Sequence, residues 1–535
     1  MTSTITVTVK SRAAVGFATA LCTGLIGGCV GPRYVTPSTS APPAFKEASA
    51  AASPGNWQPA SPEDATLKGK WWEMFNEPEL NALEEQLDIN NQNIAQYFQN
   101  FMAARAQVSE ARAGYYPTLT TAPSVTRTHS PSTLNGGAIT GAAGTTGTTG
   151  TTGTTGTTGT VATSGPTASA SGGTYNEFTL PFDVSWEPDL WGRVRNTVHE
   201  FQYAAQVSAA DLENERLTEQ ADLAEYFVEL RGQDALQALY DRTIQADQKS
   251  LDLTRALLDT GIDSQEDVAE AEVTLANAQA SAVGIATNRA VYEHAIAMLI
   301  GKPASSFSMP VKSLDTPAPA IPIGVPSQLL QRRPDVAAAE RTMAQANALI
   351  GVEETAYYPT LDLTASGGFA SAAISTLFTA PARFWSIGAS ASETIFDAGL
   401  RRATVAQYTA AYNADVAAYK QTVLTAFQQV EDYIATLRVL TLQIERQQAA
   451  VAAAQRYVDI ATARYETGLD PYLNVMTAEL TLLSDQQTET TLRVSQMMSA
   501  VELIQALGGG WEVTQLPAAS KVTSDQSAHQ LSQSP

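Results

Sequence analysis

Cysteine is nearly absent: Cys22 and Cys29 are the only two in 535 residues. Cys22 lies within a stretch that reads as a secretory signal, so the mature protein is expected to hold one thiol. That excludes an intrachain disulfide and any cysteine-based zinc site. Histidine is scarce too, and His129, His199, His294 and His529 include no pair at metal-ligand spacing. No glycine-rich phosphate loop follows a strand and no nucleophile elbow is visible, so neither an enzyme nor a resident metal or cofactor is expected. Basic residues are outnumbered, 32 Lys and Arg against 54 Asp and Glu, giving a formal net charge of −22. Such a surface is unsuited to nucleic acid. Beyond the first residues there is no uninterrupted apolar run of about 18 residues, so a membrane crossing would have to be made by strands.

Lys10 and Arg12 precede a run from Ala13 to Gly28 that has the charged and apolar regions of a signal peptide, expected over residues 1–28. Ile26-Gly27-Gly28-Cys29 resembles a bacterial lipobox. Cys29 would then begin the mature chain and carry a diacylglycerol and an N-acyl chain; the alternative is an ordinary signal with an incidental cysteine. Loss of Lys10 and Arg12 moves the formal charge from −22 to −24.

What is present is a duplication. Ala113-Gly-Tyr-Tyr-Pro-Thr-Leu119 returns as Thr355-Ala-Tyr-Tyr-Pro-Thr-Leu361, an offset of 242. Thr260-Gly261-Ile262-Asp263 pairs with Thr467-Gly468-Leu469-Asp470, Ala271-Glu272 with Ala478-Glu479, and Gly301 with Gly508, all at 207. The 35 positions of difference fall where the first copy carries a Thr-Thr-Gly tract. Two halves of one architecture are expected, with an expandable loop in the first.

Proline is missing between Pro188 and Pro303 and between Pro381 and Pro471, and both gaps are rich in Ala, Gln, Leu and Glu. A proline inside a helix costs roughly 3 kcal/mol, so these gaps predict very long helices. Leu437, Ile444, Val451, Val458 and Tyr465 recur every seven residues, and Ile244, Leu251 and Leu258 match the last three. That is the coiled-coil period. At Thr-Gly-(Ile/Leu)-Asp the glycine suits a left-handed helix end and the aspartate can cap the helix that follows. Each copy thus predicts a long helical hairpin.

Pro117 and Pro359 hand over to segments of period 2. Phe178, Leu180, Phe182, Val184 and Trp186 alternate with Thr179, Pro181, Asp183 and Ser185. Leu361, Leu363, Ala365 and Phe369 alternate with Asp362, Thr364 and Ser366, and Trp385, Ile387, Ala389 and Ala391 with Ser386, Gly388, Ser390 and Ser392. One apolar and one small polar face suit barrel strands between lipid and water. Surface hairpins on a soluble core are the alternative; insertion at matching points of the duplication favours the barrel. Four strands cannot enclose a channel, so a barrel would need several chains. The tract Gly144 to Thr160 cannot form a packed core and is expected to be an exposed loop.

The expected organisation is therefore a signal over 1–28 and a lipidated segment over 29–78. A first repeat follows over 79–301 (β-hairpin 118–187, helical hairpin 190–301), with a connector over 302–326. The second repeat covers 327–508 (β-hairpin 360–395, helical hairpin 397–508), and 509–535 is a tail.

These elements resemble the TolC-like outer-membrane efflux channels, and more closely the OprM/NodT-type lipoproteins of tripartite efflux systems of the RND type. The specific signatures are Cys29 with Gly31-Pro32-Arg33-Tyr34, Trp71-Trp72, Asp189-Leu-Trp-Gly-Arg-Val-Arg195, Leu330-Gln-Arg-Arg-Pro-Asp-Val336 and Phe396-Asp-Ala-Gly399. The resemblance implies a mixed α/β membrane protein: a homotrimer with four strands per protomer in a twelve-stranded barrel, continuous with a periplasmic α-helical coiled-coil barrel. It implies lipid anchoring in the outer membrane, with Val30 where an aspartate would signal inner-membrane retention. The implied partners are a periplasmic adaptor (membrane fusion) protein and an inner-membrane RND transporter. Asp470 takes the place of a gate-lining aspartate, with Asp263 its copy and Tyr465 a candidate plug or latch, while Gly261 and Gly468 would shape the adaptor-docking tips. Arg332, Arg333 and Asp335 would start the second repeat, capped by Asp335. The acidic tip Ile262-Asp-Ser-Gln-Glu-Asp267 departs from the family pattern. The expected function is a passive, gated exit duct for small toxic compounds and antibiotics. The alternatives are a duct of the same fold for metal ions or type I protein secretion, and a coiled-coil surface lipoprotein.

Overall fold

The computed structural model describes residues 30–37, 42, 45–47, 69–130, 173–261, 264–313, 316–321, 331–518 and 521–522. Expectations for the signal, Cys29, the tract Gly144 to Thr160, Asp263 and much of the tail lie outside the described residues. The chain divides into two compact units: one from Met1–Ala113, Leu190–Tyr357 and Phe396–Pro535, the other from Gly114–Asp189 and Tyr358–Ile395.

The first unit is helical. A 3-10 turn at Trp71–Phe75 precedes α1 (Pro78–Asn90) and α2 (Gln92–Ala113), then α3 (Arg193–Asp259) and α4 (Gln265–Leu299). The second copy supplies α5 (Pro334–Glu354), α6 (Leu400–Glu466) and α7 (Tyr472–Ala506). The duplication holds to the residue, since α3 and α6 each have 67 residues and α4 and α7 each have 35. At about 1.5 Å per residue the long members run about 100 Å. Each starts after a left-handed glycine, Gly192 at φ 90° and Gly399 at φ 91°, a conformation that costs a side-chain-bearing residue about 1–2 kcal/mol.

Apolar and alanine positions of these helices bury one another in a core that includes Trp71, Trp72, Phe75, Leu87, Phe101, Leu212, Phe227, Met343, Val430 and Ile504. Trp71 and Trp72 pack edge to face with ring centroids 5.9 Å apart. A second cluster gathers Leu251, Leu275, Ala461, Tyr465, Tyr472 and Val475, with Ile244 and Val458 against it, so the seven-residue seam is packing between the two hairpins.

The copies repeat one junction. Buried Asn91 accepts from the backbone N–H groups of Asn93 and Ile94, capping α2, and donates to the Leu299 carbonyl at 3.0 Å. Arg333, its counterpart, donates to the Ala506 carbonyl at 3.1 Å. Beside them Gly301 faces the Asn90 carbonyl and Gly508 the Arg332 carbonyl, where an added Cβ would lie only 2.6 and 2.1 Å from oxygen. The expected cap of α5 by Asp335 is not what the structure shows. Arg333 holds the N-cap position and Pro334 the first turn, while the Asp335 carboxylate pairs with Arg333 at 2.6 Å. Proline's fixed φ opens the helix without a side-chain bond from the N-cap residue, and Asp335 Oδ1 accepts the first-turn N–H of Val336 at 2.8 Å.

The second unit is one antiparallel sheet of β1 (Thr118–Thr120), β2 (Ser124–Ser130), β3 (Gly173–Trp186), β4 (Thr360–Ser371) and β5 (Arg383–Ser392). Its order is β1-β3-β4-β5, and β2 pairs with β3 beyond β1, so β1 and β2 are one edge strand broken near Pro123. The break lies opposite Pro181, which has no N–H to give a ladder. Registers Trp186↔Leu363↔Ala389 and Val184↔Ala365↔Ile387 put the apolar alternates of all strands on one face. The other face carries Thr120, Asp183, Thr364, Ser366 and Ser386. Trp385 and Ile387 are each 79% exposed, so this apolar face is bare in a single chain. Among the described residues no helix is long and apolar enough to cross a membrane.

Candidate functional site

The site is built where each helical hairpin turns. In both turns the glycine is left-handed, Gly261 at φ 76° and Gly468 at φ 72°, and an added Cβ would meet nothing within 4 Å. Both glycines thus stand clear of the other described residues, and Leu469 beside Gly468 is 70% exposed.

The turns are closed by different chemistry. At the start of α4, Ser264 and Asp267 form a reciprocal capping box, each side chain accepting from the other residue's backbone N–H. Pro471 occupies the equivalent position before α7 and has no side-chain cap. Asp470 does not cap that helix as expected. Its carboxylate turns back to α6, taking two hydrogen bonds from Arg464, Nε at 2.6 Å and Nη2 at 3.0 Å. The Arg464 guanidinium holds the Asp470 carboxyl below the usual carboxylate range, and the pair keeps both groups charged. Position 257, the copy of 464, is leucine. This pair is therefore specific to the second hairpin.

Tyr465 lies one residue from that pair but is only 3% exposed. Its hydroxyl donates to Thr254 Oγ1 on α3 at 2.9 Å, and its ring lies 5.5 Å from that of Tyr472. Tyr465 is thus held between the two hairpins of this chain. Thr254 donates to the Ser250 carbonyl, and Ser250 Oγ donates to Glu479 Oε1 on α7, each at 2.9 Å. Asp247 on α3, 2% exposed, faces the same cluster. Burial lifts Asp247 to about 6; burial and the Asp247 charge lift Glu479 to about 7, against the lowering hydrogen bond from Ser250. One oxygen of each carboxylate and the Tyr472 hydroxyl are buried without a hydrogen-bond partner among the described residues.

Sequence reasoning named Tyr465 and Asp470 and missed Arg464, Thr254, Tyr472, Asp247 and Glu479 as one cluster. The signal was departure from the duplication: Arg464, Tyr465 and Tyr472 face Leu257, Leu258 and Gln265 in the first copy, and Asp247 faces Ala454 in the second. Among the described residues no group of acids, histidines or cysteines could hold a metal ion.

This geometry has relatives. The chain is 29% identical over 491 residues to the probable efflux pump outer membrane protein TtgC of Pseudomonas putida, spanning 91% of this chain and 94% of that one. It is 28% identical over 489 residues to the antibiotic efflux pump outer membrane protein ArpC of Pseudomonas putida, with 91% and 94% covered. The solved outer-membrane channel OprN is 27% identical, has a TM-score of 0.77, and is matched over 90% of this chain and 99% of its own. Residues 83–302 and 325–509 match the family profile described as outer membrane efflux protein. The chain belongs to that outer membrane efflux protein family and is one of its TolC-like channels.

Proposed function

We propose that the protein is the gated exit duct of a tripartite RND-type efflux system, passive itself and driven by an inner-membrane pump through a periplasmic adaptor. The observation that carries this reading is the sheet. It has one apolar face and two bare edges, β1/β2 and β5. In hydrocarbon an unpaired strand edge costs several kcal/mol per group, so the edges must pair, and the pairing available is β5 of one protomer with β1/β2 of the next. Counting β1/β2 as one strand, three protomers close a barrel of twelve, wide enough to enclose a path.

In this reading Cys29 carries the lipid anchor to the outer membrane, and the turns at Gly261 and Gly468 dock the adaptor. Asp470 lines the gate, with Asp263 as its copy, and Tyr465 latches one hairpin to the other. Around a three-fold axis the Arg464–Asp470 pairs would form a charged ring that constricts the closed state. Substrates are small toxic organics and antibiotics, the cargo class named for ArpC and for the toluene efflux relative of Pseudomonas putida.

The test is detergent-purified protein in planar bilayers. Heat-resistant trimers that conduct ions support the duct; monomers without conductance would leave a coiled-coil lipoprotein in its place.

A further inference from the structure

The two faces of the sheet differ in charge as well as polarity. Following the registers, the apolar face holds three ionisable residues: Arg127 opposite Asn176, His129 opposite Thr174, and Arg383 opposite Phe369. The other face holds Glu177, Asp183 and Asp362 as its acids. Cations thus occur on the apolar face and carboxylates on the polar one.

The three basic residues also share one end. Arg127 is the middle residue of β2 and His129 the last but one, and Arg383 opens β5. The opposite end of each strand leads to the helices. All three side chains are exposed, and His129 Nδ1 shares a 2.8 Å hydrogen bond with Thr174 Oγ1. Neither guanidinium group makes a hydrogen bond or ion pair among the described residues.

This face is apolar from Phe178 to Trp186 and turns polar only toward the end where Asn176, Thr174 and Ser371 stand, and bare guanidinium groups there are costly in hydrocarbon unless they reach a polar layer and an anion. Arg127 and Arg383 stand on the two edge strands, three strand spacings (about 14 Å) apart across the sheet and, since Arg127 is level with Asn176 and Arg383 with Leu180 of β3, four residues (about 13 Å) apart along it, about 20 Å in one chain. Barrel closure, on which this inference rests, puts β5 beside β2 of the next protomer and joins them at one seam. We propose that each of the three seams, with Arg127 and His129 from one protomer and Arg383 from its partner, is a seat for the phosphates of lipid A in the outer leaflet. Arginine's planar fork suits phosphate, and the anion removes the cost of the bare cations. Among the described residues this face has no acid to oppose it.

Native mass spectrometry of purified trimers titrated with bisphosphorylated lipid A tests this. The expected result is saturation at three lipids, about tenfold or more weaker binding by Arg127→Gln/Arg383→Gln, and partial recovery in Arg127→Lys/Arg383→Lys, which restores the charge without the fork. Dephosphorylated lipid A should bind the wild-type trimer as weakly as bisphosphorylated lipid A binds the glutamine variant. Equal binding of the two lipids, or of wild type and glutamine variant, by intact trimers overturns the seat while leaving the duct. Monomers in the same spectra would remove barrel closure, and the seat with it.

Discussion

The Tyr465 hydroxyl on α6 donates to the Thr254 hydroxyl on α3 at 2.9 Å, a buried bond that ties the second helical hairpin to the first across 211 residues of sequence. Both side chains belong to the cluster beneath the hairpin turns, and neither has a polar counterpart in the other copy, where Leu258 and Ala461 stand instead. The tie is thus an asymmetry added to a symmetric frame.

Removing it should loosen the closed arrangement. Tyr465→Phe deletes the hydroxyl while keeping the ring on Tyr472, at a cost of about 1 kcal/mol or somewhat more if Thr254 is left unpaired. Single-channel recording is expected to show a severalfold rise in open probability. Unaltered gating in both Tyr465→Phe and Thr254→Val would reduce the bond to packing.

Asp470 and Arg464 act as a pair, so their single variants should differ in kind. Asp470→Ala should raise conductance or opening frequency by removing the inward charge, while Arg464→Ala leaves three unneutralised carboxylates and should increase cation preference. The check is conductance and reversal potential in a salt gradient. If Asp470→Ala behaves as wild type, Asp470 is not at the gate.

The cluster also predicts a pH response. Asp247 and Glu479 are raised to about 6 and about 7 by burial, so their contribution to packing is full when protonated, near and below the ordinary carboxylate range, and is lost as pH rises through those values. Protection factors of amides in α3 and α7, that is, exchange corrected for its base-catalysed intrinsic rate, should therefore be higher at about pH 5 than at about pH 8. Glu479→Gln should remove most of that difference; a full pH dependence in the variant would exclude Glu479 as its source.

Two glycines of similar φ should respond unequally to alanine. Gly508→Ala brings a Cβ to 2.1 Å from the Arg332 carbonyl, so backbone must move, at a cost of about 3 kcal/mol or more. Gly468→Ala meets nothing within 4 Å and bears only left-handed strain of about 1–2 kcal/mol. Thermal denaturation of the two variants measures the order, and comparable losses would contradict the close approach at Gly508.

The fold was largely legible because its signals are local or repeated. Absence of proline and a left-handed glycine set the long helices, and period 2 with the copied Tyr-Tyr-Pro set the strands. The cluster beneath the hairpin turns was less so. Asp470 was singled out by the family resemblance at the duplicated turn, but its partner is six residues back on the preceding helix, and nothing in Thr-Gly-Leu-Asp distinguishes a cap from an ion pair. Thr254, Asp247 and Glu479 converge only when α3 and α7 pack. The cationic rim was hidden likewise, because Arg127 and Arg383 share a face only once the registers of β2 through β5 are known.

The central claim is that the protein lets small toxic compounds leave the cell. Intracellular accumulation of a fluorescent efflux dye, compared in cells with the gene deleted and cells with it restored, measures this most directly. The account predicts higher accumulation on deletion, reversed by the wild-type chain. Accumulation that stays the same with and without the protein, in cells whose pump and adaptor are intact, would contradict a drug-efflux duct.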